Sequence, residues 1–457
     1  MPHRKPKQIF LRIYKMAAES ESQNLRSGGH LGYIVKNWRE LFFSASRIFS
    51  AGITLLTYAY SARILGPTEY GTLATFISLT SFLPLILTFG APQILEREIA
   101  RFRGGMKIKD HSYLIFMQFA IWLFGGGLTV VLWITDIRLS SSIIFVSIIS
   151  QASLLLGALL NGHEKTHASA ACITVVKPAM VLLALYSLSR FEITAGINIA
   201  ILANVIGSVI ALAALLAMIY YYKIFFPQLN LRTARVNNFD IRPLHSRLLS
   251  GGVFAMMQLA INFAPQLDVL LLSSFANKDD VALYHAASRG ANISSFFTAG
   301  IIAVATPTFY REYARSRTDE FRRMITKLSH RSFLATAILS GLLLCFSRYY
   351  LLFFGSTFIV AWPSMLALIG VSLVCSAFGP GQLVLFCAGK EKLVLCITAV
   401  SIIINLVVSY SLVARFGYIG SIVGSSSQIF IYTFLQWFAC VRQLKIRTDA
   451  FFSVSKR

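Results

Sequence analysis

The feature that most constrains this chain is a series of long apolar runs, because about 20 consecutive apolar residues suffice for a helix to cross a bilayer. We count twelve such runs in the 457 residues. Hydrophobic residues make up 56% of the chain and charged residues only 13%, against about 25% charged in soluble proteins. We therefore predict an all-α integral membrane protein. The predicted helices lie near 41–62, 72–92, 113–134, 142–162, 169–188, 195–222, 248–273, 284–307, 332–353, 360–388, 393–413 and 419–441.

The tenth of these runs is not expected to form one straight helix. It contains the string FGPGQ at 378–382. Proline and glycine at neighbouring positions interrupt the hydrogen-bond ladder of a helix. The sequence therefore predicts a broken or kinked helix at this position.

The distribution of positive charge predicts the orientation of the chain in the membrane. Of the 42 Lys and Arg residues, 33 fall in the tails and in alternate connections, six fall in the remaining connections, and three lie inside predicted helices. Short loops that remain in the cytoplasm carry the excess of Lys and Arg. Both termini are therefore predicted to be cytoplasmic, and the net charge of +23 requires no nucleic-acid partner.

The longest cytoplasmic connection divides the predicted helices into six and six. Because six is even, the two halves would have the same orientation, as parallel repeats related by an axis along the membrane normal. We expect two six-helix lobes around a central cavity. The predicted divisions are a basic cytoplasmic tail at 1–40, an N-terminal lobe at 41–222, a linker at 223–247, a C-terminal lobe at 248–441 and a tail at 442–457.

Four ionisable residues fall inside predicted helices: Arg47, Lys177, Asp268 and Arg289. Each costs about 2.5–3.5 kcal/mol near a helix centre on insertion scales. Such residues normally face a protein interior or an aqueous cavity. One interpretation is structural, with Arg47 reaching the membrane surface and Asp268 paired with Arg289. The functional interpretation is a cationic cavity in which Arg47, Lys177 and Arg289 bind an anion, most plausibly phosphate.

The seventh predicted helix carries a row of polar residues, Gln258, Asn262, Gln266 and Asp268. The first three follow i, i+4, i+8 spacing and share one helix face. Such a row serves either as a substrate-facing or ion-coupling wall, or as helix–helix contact. Five further amides occur singly and are interpreted as packing residues: Gln151, Asn161, Gln382, Asn405 and Gln428.

The chain lacks most of the common enzyme motifs. G-x-S-x-G, a phosphate-binding P-loop and C-x-x-C spacing among the six cysteines are all absent from the sequence. The string HEKTH at 163–167 matches H-E-x-x-H, but it falls in a predicted connection between two apolar runs, so we interpret His163 and His167 as a solvated loop pair rather than a metal site. Most histidines fall in tails or loops. We therefore expect no catalytic residues, no metal site and no cofactor, and any uphill transport would draw on an ion or substrate gradient.

The string ARILGPTEYGTLATFISLTSFLPLILTFGAP at 62–92 resembles the first-to-second-helix region of the Wzx-type polysaccharide flippases. These belong to the multidrug/oligosaccharidyl-lipid/polysaccharide transporter (MOP) superfamily, and the resemblance covers most of 41–440. The family pattern R-x-L-G-P-x-x-Y-G is matched by Arg63, Leu65, Gly66, Pro67, Tyr70 and Gly71. A second-half pattern is matched by Asp268, Leu272, Val281 and Tyr284, with Ala282 where the family usually has Gly.

The resemblance implies a flippase in the bacterial inner membrane. Its substrate would be an undecaprenyl-pyrophosphate-linked oligosaccharide repeat unit, moved by alternating access for O-antigen (lipopolysaccharide), capsule or exopolysaccharide synthesis. A polysaccharide polymerase and a chain-length regulator would be partners. Arg47, Lys177 and Arg289 would bind the pyrophosphate or acidic sugars. The first motif itself is expected to be a structural turn, formed by Gly66 and Pro67, with Tyr70 in the interfacial aromatic belt.

Two alternatives remain open at this point. An ion-coupled exporter of cationic drugs from the same superfamily would be expected to have more acids than bases in its cavity, whereas bases outnumber acids three to one inside the predicted helices. A membrane glycosyltransferase or polymerase usually has a large periplasmic loop or an acid pair, and the predicted external loops here are all short.

Overall fold

The structure is a computed structural model that describes residues 30–88, 92, 95, 96, 99, 138–163, 165–191, 196–222, 260, 263, 266–314 and 318–451. All regular structure in these residues is helical, which confirms the predicted all-α class. The α-helices are α1 His30–Thr88, α2 Arg138–Gly162, α3 Thr166–Ala170, α4 Lys177–Arg190, α5 Ile197–Tyr221, α6 Gln266–Phe275, α7 Lys278–Ala314, α8 Thr318–Phe354, α9 Trp362–Ser376, α10 Gly381–Cys387, α11 Glu391–Phe416 and α12 Tyr418–Ala439.

Six segments of the described residues are long and apolar enough to cross a membrane. They are Ser141–Gly162, Thr166–Arg190, Ile197–Tyr221, Glu320–Phe354, Ser356–Ser376 and Glu391–Phe416. Each overlaps a predicted span. The chain is therefore a multi-pass membrane protein. The linker at 223–247 lies outside the described residues, so the boundaries of the two lobes stay predictions.

Helix α1 consists of two arms joined at Gly66, which has φ 74° and ψ 175°. That conformation favours glycine, since a Cβ atom makes it costly. Pro67 starts the second arm, where the missing N–H of proline removes no helix hydrogen bond. The two arms correspond to the first two predicted spans.

Two other segments contain local breaks at proline. A π-helix, Ala171–Val176, separates α3 from α4, directly before Lys177 and Pro178. Its wider turn relieves the clash of a proline ring with the carbonyl group of the preceding turn. In the tenth predicted span, α9 and α10 are separated by Gly379, which has φ 75°. The predicted break in this span is confirmed.

One end of the helix bundle, called the turn end, carries Gly66 and the glycines that start α5 and α12. A Cβ on Gly196, the residue before α5, would lie 2.9 Å from a carboxylate oxygen of Glu69. A Cβ on Gly417, the residue before α12, would lie 2.7 Å from one of Asp280. Each half therefore places a carboxylate at the N-terminus of its last helix, where the helix dipole favours negative charge. This equivalence fits the predicted parallel repeat.

Asp280 lies outside the predicted spans. Burial raises the pKa of Asp280 above its ordinary value, while a backbone hydrogen bond from Tyr418 acts in the opposite direction. The carboxylate is thus partly withdrawn from water and held against the first turn of α12.

The buried apolar residues form one shared core at the turn end. It contains Tyr70 and Leu73 from α1, Leu185 from α4, and Ala287 and Phe354 from α7 and α8, so it joins the two halves. At the opposite end, called the tail end, the described residues form two separate clusters. One, around Phe321 and Ile325, lies in the C-terminal half, and the other, around Leu160 and Leu215, lies in the N-terminal half.

The last described residues, 445–451, return across the tail end of the C-terminal half as a C-terminal strap. The Thr448 hydroxyl donates to the carbonyl oxygen of Phe378 at 2.7 Å, and the Ala450 N–H donates to that of Ala377 at 2.8 Å. These carbonyls follow the end of α9, where helix carbonyls lack intrahelical partners. The strap therefore supplies donors to the break between α9 and α10.

Candidate functional site

The halves of the molecule are joined at the turn end by polar contacts between α1 and the C-terminal half. The Thr68 hydroxyl donates to a carboxylate oxygen of Asp279 at 2.6 Å. Arg63 donates from Nε to the carbonyl oxygen of Phe353 at 2.8 Å, and its guanidinium lies 5.2 Å from the centre of the Phe353 ring. These contacts, called the turn-end closure, bring together residues far apart in sequence.

Tyr70 and Gly71 lie deeper in this closure. Tyr70 is 0% exposed, and its hydroxyl lies 2.9 Å from Nδ1 of His285. The expectation of an interfacial position for Tyr70 is therefore wrong, because the ring packs edge-on against Phe354 and Phe358. Gly71 lies so close to the carbonyl group of Lys278 that no Cβ would fit, which gives a physical reason for glycine at this position of the motif.

Arg289 is held by neutral partners from the same region. Its Nε donates to Nε2 of His285 at 3.2 Å, and its Nη2 donates to Oε1 of Gln266 at 3.3 Å. The guanidinium also lies 5.9 Å from the centre of the Tyr58 ring in the other half. No carboxylate pairs with Arg289 among the described residues. Arg289 follows the start of α7 by eleven residues, or about 16 Å along the helix, which is about half the thickness of the hydrocarbon layer.

The hydrogen bonds of Arg289 determine the protonation of His285. The guanidinium is always a donor, so Nε2 of His285 must be the acceptor. In a neutral imidazole the other nitrogen then carries the proton, and Nδ1 donates to the Tyr70 hydroxyl oxygen. Nε and Nη2 form one edge of the guanidinium, and that edge is filled by His285 and Gln266. The second edge, Nη1 with the other N–H of Nη2, has no protein acceptor within the described part of the chain.

Asp268 belongs to a second polar cluster, within the C-terminal half. It is 2% exposed, and it accepts from the Tyr284 hydroxyl at 2.8 Å and from Nδ2 of Asn405 at 2.9 Å. No cation pairs with it among the described residues. The predicted alternative of an ion pair between Asp268 and Arg289 is therefore wrong, since each has its own set of partners.

The Asp268 cluster extends across α11 and α12. Asn405 also donates from Nδ2 to Oε1 of Gln428 at 2.6 Å, and it accepts from the Ser409 hydroxyl at 2.8 Å. Ser425 lies 2.9 Å from the Tyr284 hydroxyl. The interpretation of Asn405 and Gln428 as isolated packing residues missed this cluster. The sequence signal for such a cluster is the presence of one polar residue, Asp268, Asn405 or Gln428, in each of three separate apolar spans.

Lys177 lies in the N-terminal half, at the junction of the π-helix and α4. Its Nζ donates to the Ser150 hydroxyl of α2 at 3.2 Å. Within the described residues no carboxylate pairs with it. Lys177 is thus a second cation in the membrane that is held by a neutral partner.

The structure describes only some of the remaining predicted site residues. Gln258 and Asn262 lie outside the described residues. Arg47 lies on the first arm of α1, but its side chain is not described. Gln266 is brought to Arg289, whereas Asp268, two residues later, belongs to the other cluster. His285 is a buried member of the site that the sequence analysis does not predict. Its spacing of four residues from Arg289 on one helix is the sequence signal that indicates their contact.

Comparison with solved structures identifies the class of the fold. An inward-facing multidrug resistance MATE family transporter of the MOP superfamily aligns with a TM-score of 0.63 and 13% identity, over 86% of this chain and 96% of the other. An outward-facing MATE family transporter aligns at 0.55 and 13%, over 88% and 94%. A mutant MATE transporter from Vibrio cholerae aligns at 0.55 and 15%, over 89% and 98%. The chain therefore has the fold of these membrane transporters.

Comparison of sequences identifies the family. The sequence profile described as polysaccharide biosynthesis protein matches residues 34–313, which is more than half of the chain. The chain belongs to this family, and the predicted relationship to proteins of polysaccharide biosynthesis is confirmed. No curated protein sequence matches the chain significantly.

Proposed function

We propose that this protein is a flippase that moves undecaprenyl-pyrophosphate-linked oligosaccharide repeat units across a bacterial inner membrane for surface polysaccharide synthesis. In this proposal the turn end is periplasmic, and the tail end and both termini are cytoplasmic. The family of polysaccharide biosynthesis proteins and the transporter fold support the general class. The positive charge of the predicted cytoplasmic connections supports the orientation.

The observation that carries the proposal is the state of Arg289. A guanidinium in the membrane is costly and is normally paired, yet both described hydrogen-bond partners of Arg289 are neutral. A phosphate group accepts hydrogen bonds in the fork geometry that a guanidinium edge presents. The Nη1–Nη2 edge, which has no acceptor among the described residues, is therefore suited to a pyrophosphate oxygen pair.

Lys177 would provide a second contact from the N-terminal half. Its single described partner is the neutral Ser150 hydroxyl, so its charge is also available to an anion. Its ammonium group is a compact charge on a flexible stem and is less directional than a guanidinium, which suits the more variable acidic groups of a sugar chain. Arg47 is the third proposed contact, on the first arm of α1.

The arrangement of the cores suggests how the substrate enters. The two halves share a core at the turn end and have separate clusters at the tail end among the described residues. Separate clusters can move apart without exposing a common core, so we propose loading from the tail end. Transport would then require release of the turn-end closure and a matching approach of the two halves at the tail end.

We further propose that Asp268 binds the coupling ion, a proton or a small monovalent cation. The carboxyl group is buried without a described counter-cation, and its hydrogen-bond partners are the Tyr284 hydroxyl and the Asn405 amide, with oxygens of Ser425 and Gln428 one contact further out. Oxygen ligands suit hard cations, and a buried carboxyl group readily takes up a proton.

The experiment is complementation of a bacterial strain that lacks its own surface-polysaccharide flippase. The wild-type chain is expected to restore polymer. Arg289→Gln and Lys177→Gln should each reduce polymer strongly while the protein level in the membrane is unchanged. Arg415→Gln is the matched control, because Arg415 is an exposed cation in the last turn of α11. Equal polymer from Arg289→Gln and from the control would refute the role of Arg289, and failure of the wild type in strains with several repeat-unit structures would refute the flippase.

The second candidate is an ion-coupled exporter of cationic drugs. It is favoured by the MATE fold and by the carboxyl group of Asp268, which has no cationic partner among the described residues. Overexpression would then raise resistance to cationic dyes in an Asp268-dependent manner, with no restoration of polymer. A membrane glycosyltransferase or polymerase, the remaining alternative, would add sugar to a lipid-linked acceptor in purified form.

A further inference from the structure

We infer that His285 is a positioning residue that fixes the anion-binding edge of Arg289 only while the turn end is closed. This inference rests on the proposed function, since it concerns how the pyrophosphate site is assembled and dismantled during transport. It assigns a role in the transport cycle to Tyr70 and His285, neither of which is proposed to touch the substrate.

The geometry places His285 between the closure and the anion site. Its ring is 0% exposed, with Nδ1 at 2.9 Å from the Tyr70 hydroxyl and Nε2 at 3.2 Å from Nε of Arg289. Tyr70 belongs to α1 in the N-terminal half, whereas His285 and Arg289 both belong to α7. The chain of hydrogen bonds therefore crosses from one half to the other and ends on the guanidinium.

Two acceptors on one edge determine the plane of the guanidinium. His285 and Gln266 fill the Nε–Nη2 edge, so the Nη1–Nη2 edge has a fixed direction before any ligand arrives. Such preorganisation increases affinity, because the ligand does not have to order the side chain. An anion on the second edge leaves both protein hydrogen bonds intact, so it is compatible with the closed turn end.

Opening of the turn end removes the hydrogen bond to Tyr70 that holds His285 in place. When α1 moves away from α7, the Tyr70 hydroxyl is withdrawn and the buried Nδ1–H of His285 loses its acceptor. An unpaired buried donor is costly, so the imidazole turns toward another acceptor and Nε2 leaves Arg289. The guanidinium then keeps only Gln266, and the anion-binding edge is no longer fixed. The anion therefore binds tightly with the turn end closed and is released as it opens.

Linkage makes this coupling reciprocal: an anion that prefers the closed turn end must also stabilise closure. The test uses purified full-length protein with farnesyl pyrophosphate as the probe and farnesol as the uncharged control. We expect Arg289→Gln to abolish binding of the pyrophosphate. His285→Ala should weaken it about tenfold or more, as expected for loss of a hydrogen bond to a charged group. His285→Gln, whose amide can both accept and donate, should restore part of the affinity.

The second readout measures closure directly. In a chain whose six cysteines are replaced, Thr68→Cys and Asp279→Cys form a pair that reports the closed turn end by disulfide formation. Farnesyl pyrophosphate should increase the yield of this disulfide in the parent chain but not with His285→Ala. Tyr70→Phe should also lose the increase while keeping the ring contacts with Phe354 and Phe358, so it serves if His285→Ala does not fold.

The outcomes separate the two proposals. Normal pyrophosphate binding by His285→Ala and Tyr70→Phe, together with loss of binding by Arg289→Gln, would overturn the positioning role and leave the anion site standing. Unchanged binding by Arg289→Gln would overturn the anion site and, with it, the role of His285. Restoration of polymer in cells tests the flippase independently of both.

Discussion

A single methyl group at Gly71 is predicted to force the turn end open. The position lies in the second arm of α1, where an added Cβ would lie 1.9 Å from the carbonyl oxygen of Lys278 and 2.7 Å from its carbonyl carbon. Both atoms belong to the backbone of α7, so no side chain can rotate away. Gly71→Ala therefore requires the two helices to separate by about 1 Å or more, since real Cβ contacts below 3.0 Å are essentially absent.

The size of the expected shift between closed and open molecules follows from the location of the clash. Overpacking of a buried contact costs about 1–3 kcal/mol, and here the clash exists only in the closed state because the contact joins the two halves. The cost therefore appears as a shift in the ratio of closed to open molecules of about 5- to 150-fold. A cost borne equally by both states would lower stability without changing this ratio.

The assay is the disulfide yield of the Thr68→Cys and Asp279→Cys pair, measured with and without Gly71→Ala. We expect the yield to fall sharply and the accessibility of the pair to membrane-impermeant thiol reagents to rise. Gly341→Ala is the matched control, because Gly341 lies in α8 with no atom within 4 Å of an added Cβ. An unchanged disulfide yield in Gly71→Ala would refute the inference that this contact holds the two halves together.

Three further substitutions test other parts of the structure. Asp268→Asn should lower the free energy of unfolding by about 1–3 kcal/mol, because two donors point at the carboxylate and an amide can accept only on one atom; equal thermal stability to wild type would contradict this. Gly424→Ala should lower thermal stability by displacing the Ser409 hydroxyl from Asn405, since the added Cβ would overlap that hydroxyl; a normal detergent melting curve would refute the predicted packing. Thr448→Val should cost about 1 kcal/mol through the lost hydrogen bond to Phe378 and should speed proteolysis near the α9–α10 break; an unchanged cleavage rate would show that the strap is dispensable.

The parts of the fold that were predictable are those with local causes. The all-α class follows from apolar runs, and the breaks near Gly66 and Gly379 follow from glycine beside proline. The same reasoning placed Arg289 and Asp268 inside helices, because hydropathy identifies a charge in an apolar run. It could not identify their partners, since a partner is determined by how helices pack.

Contacts between residues far apart in the sequence could not be predicted from the sequence alone. Tyr70 and His285 are 215 positions apart, and Asp268 and Asn405 are 137 apart. No periodicity relates such positions, and each residue alone has an ordinary structural interpretation. The pairing of Asp268 with Arg289 was expected from opposite charge and proximity in sequence, yet the carboxylate binds neutral donors from two other helices.

The C-terminal strap has a consequence for how the protein is made. Synthesis runs from the N-terminus, so α9 and α10 enter the membrane well before residues 445–451 exist. Until then the carbonyl groups of Ala377 and Phe378 have no donor from Ala450 and Thr448, and the C-terminal half is incomplete. A variant truncated before Thr448 would therefore leave both carbonyl groups at the α9–α10 break without these donors.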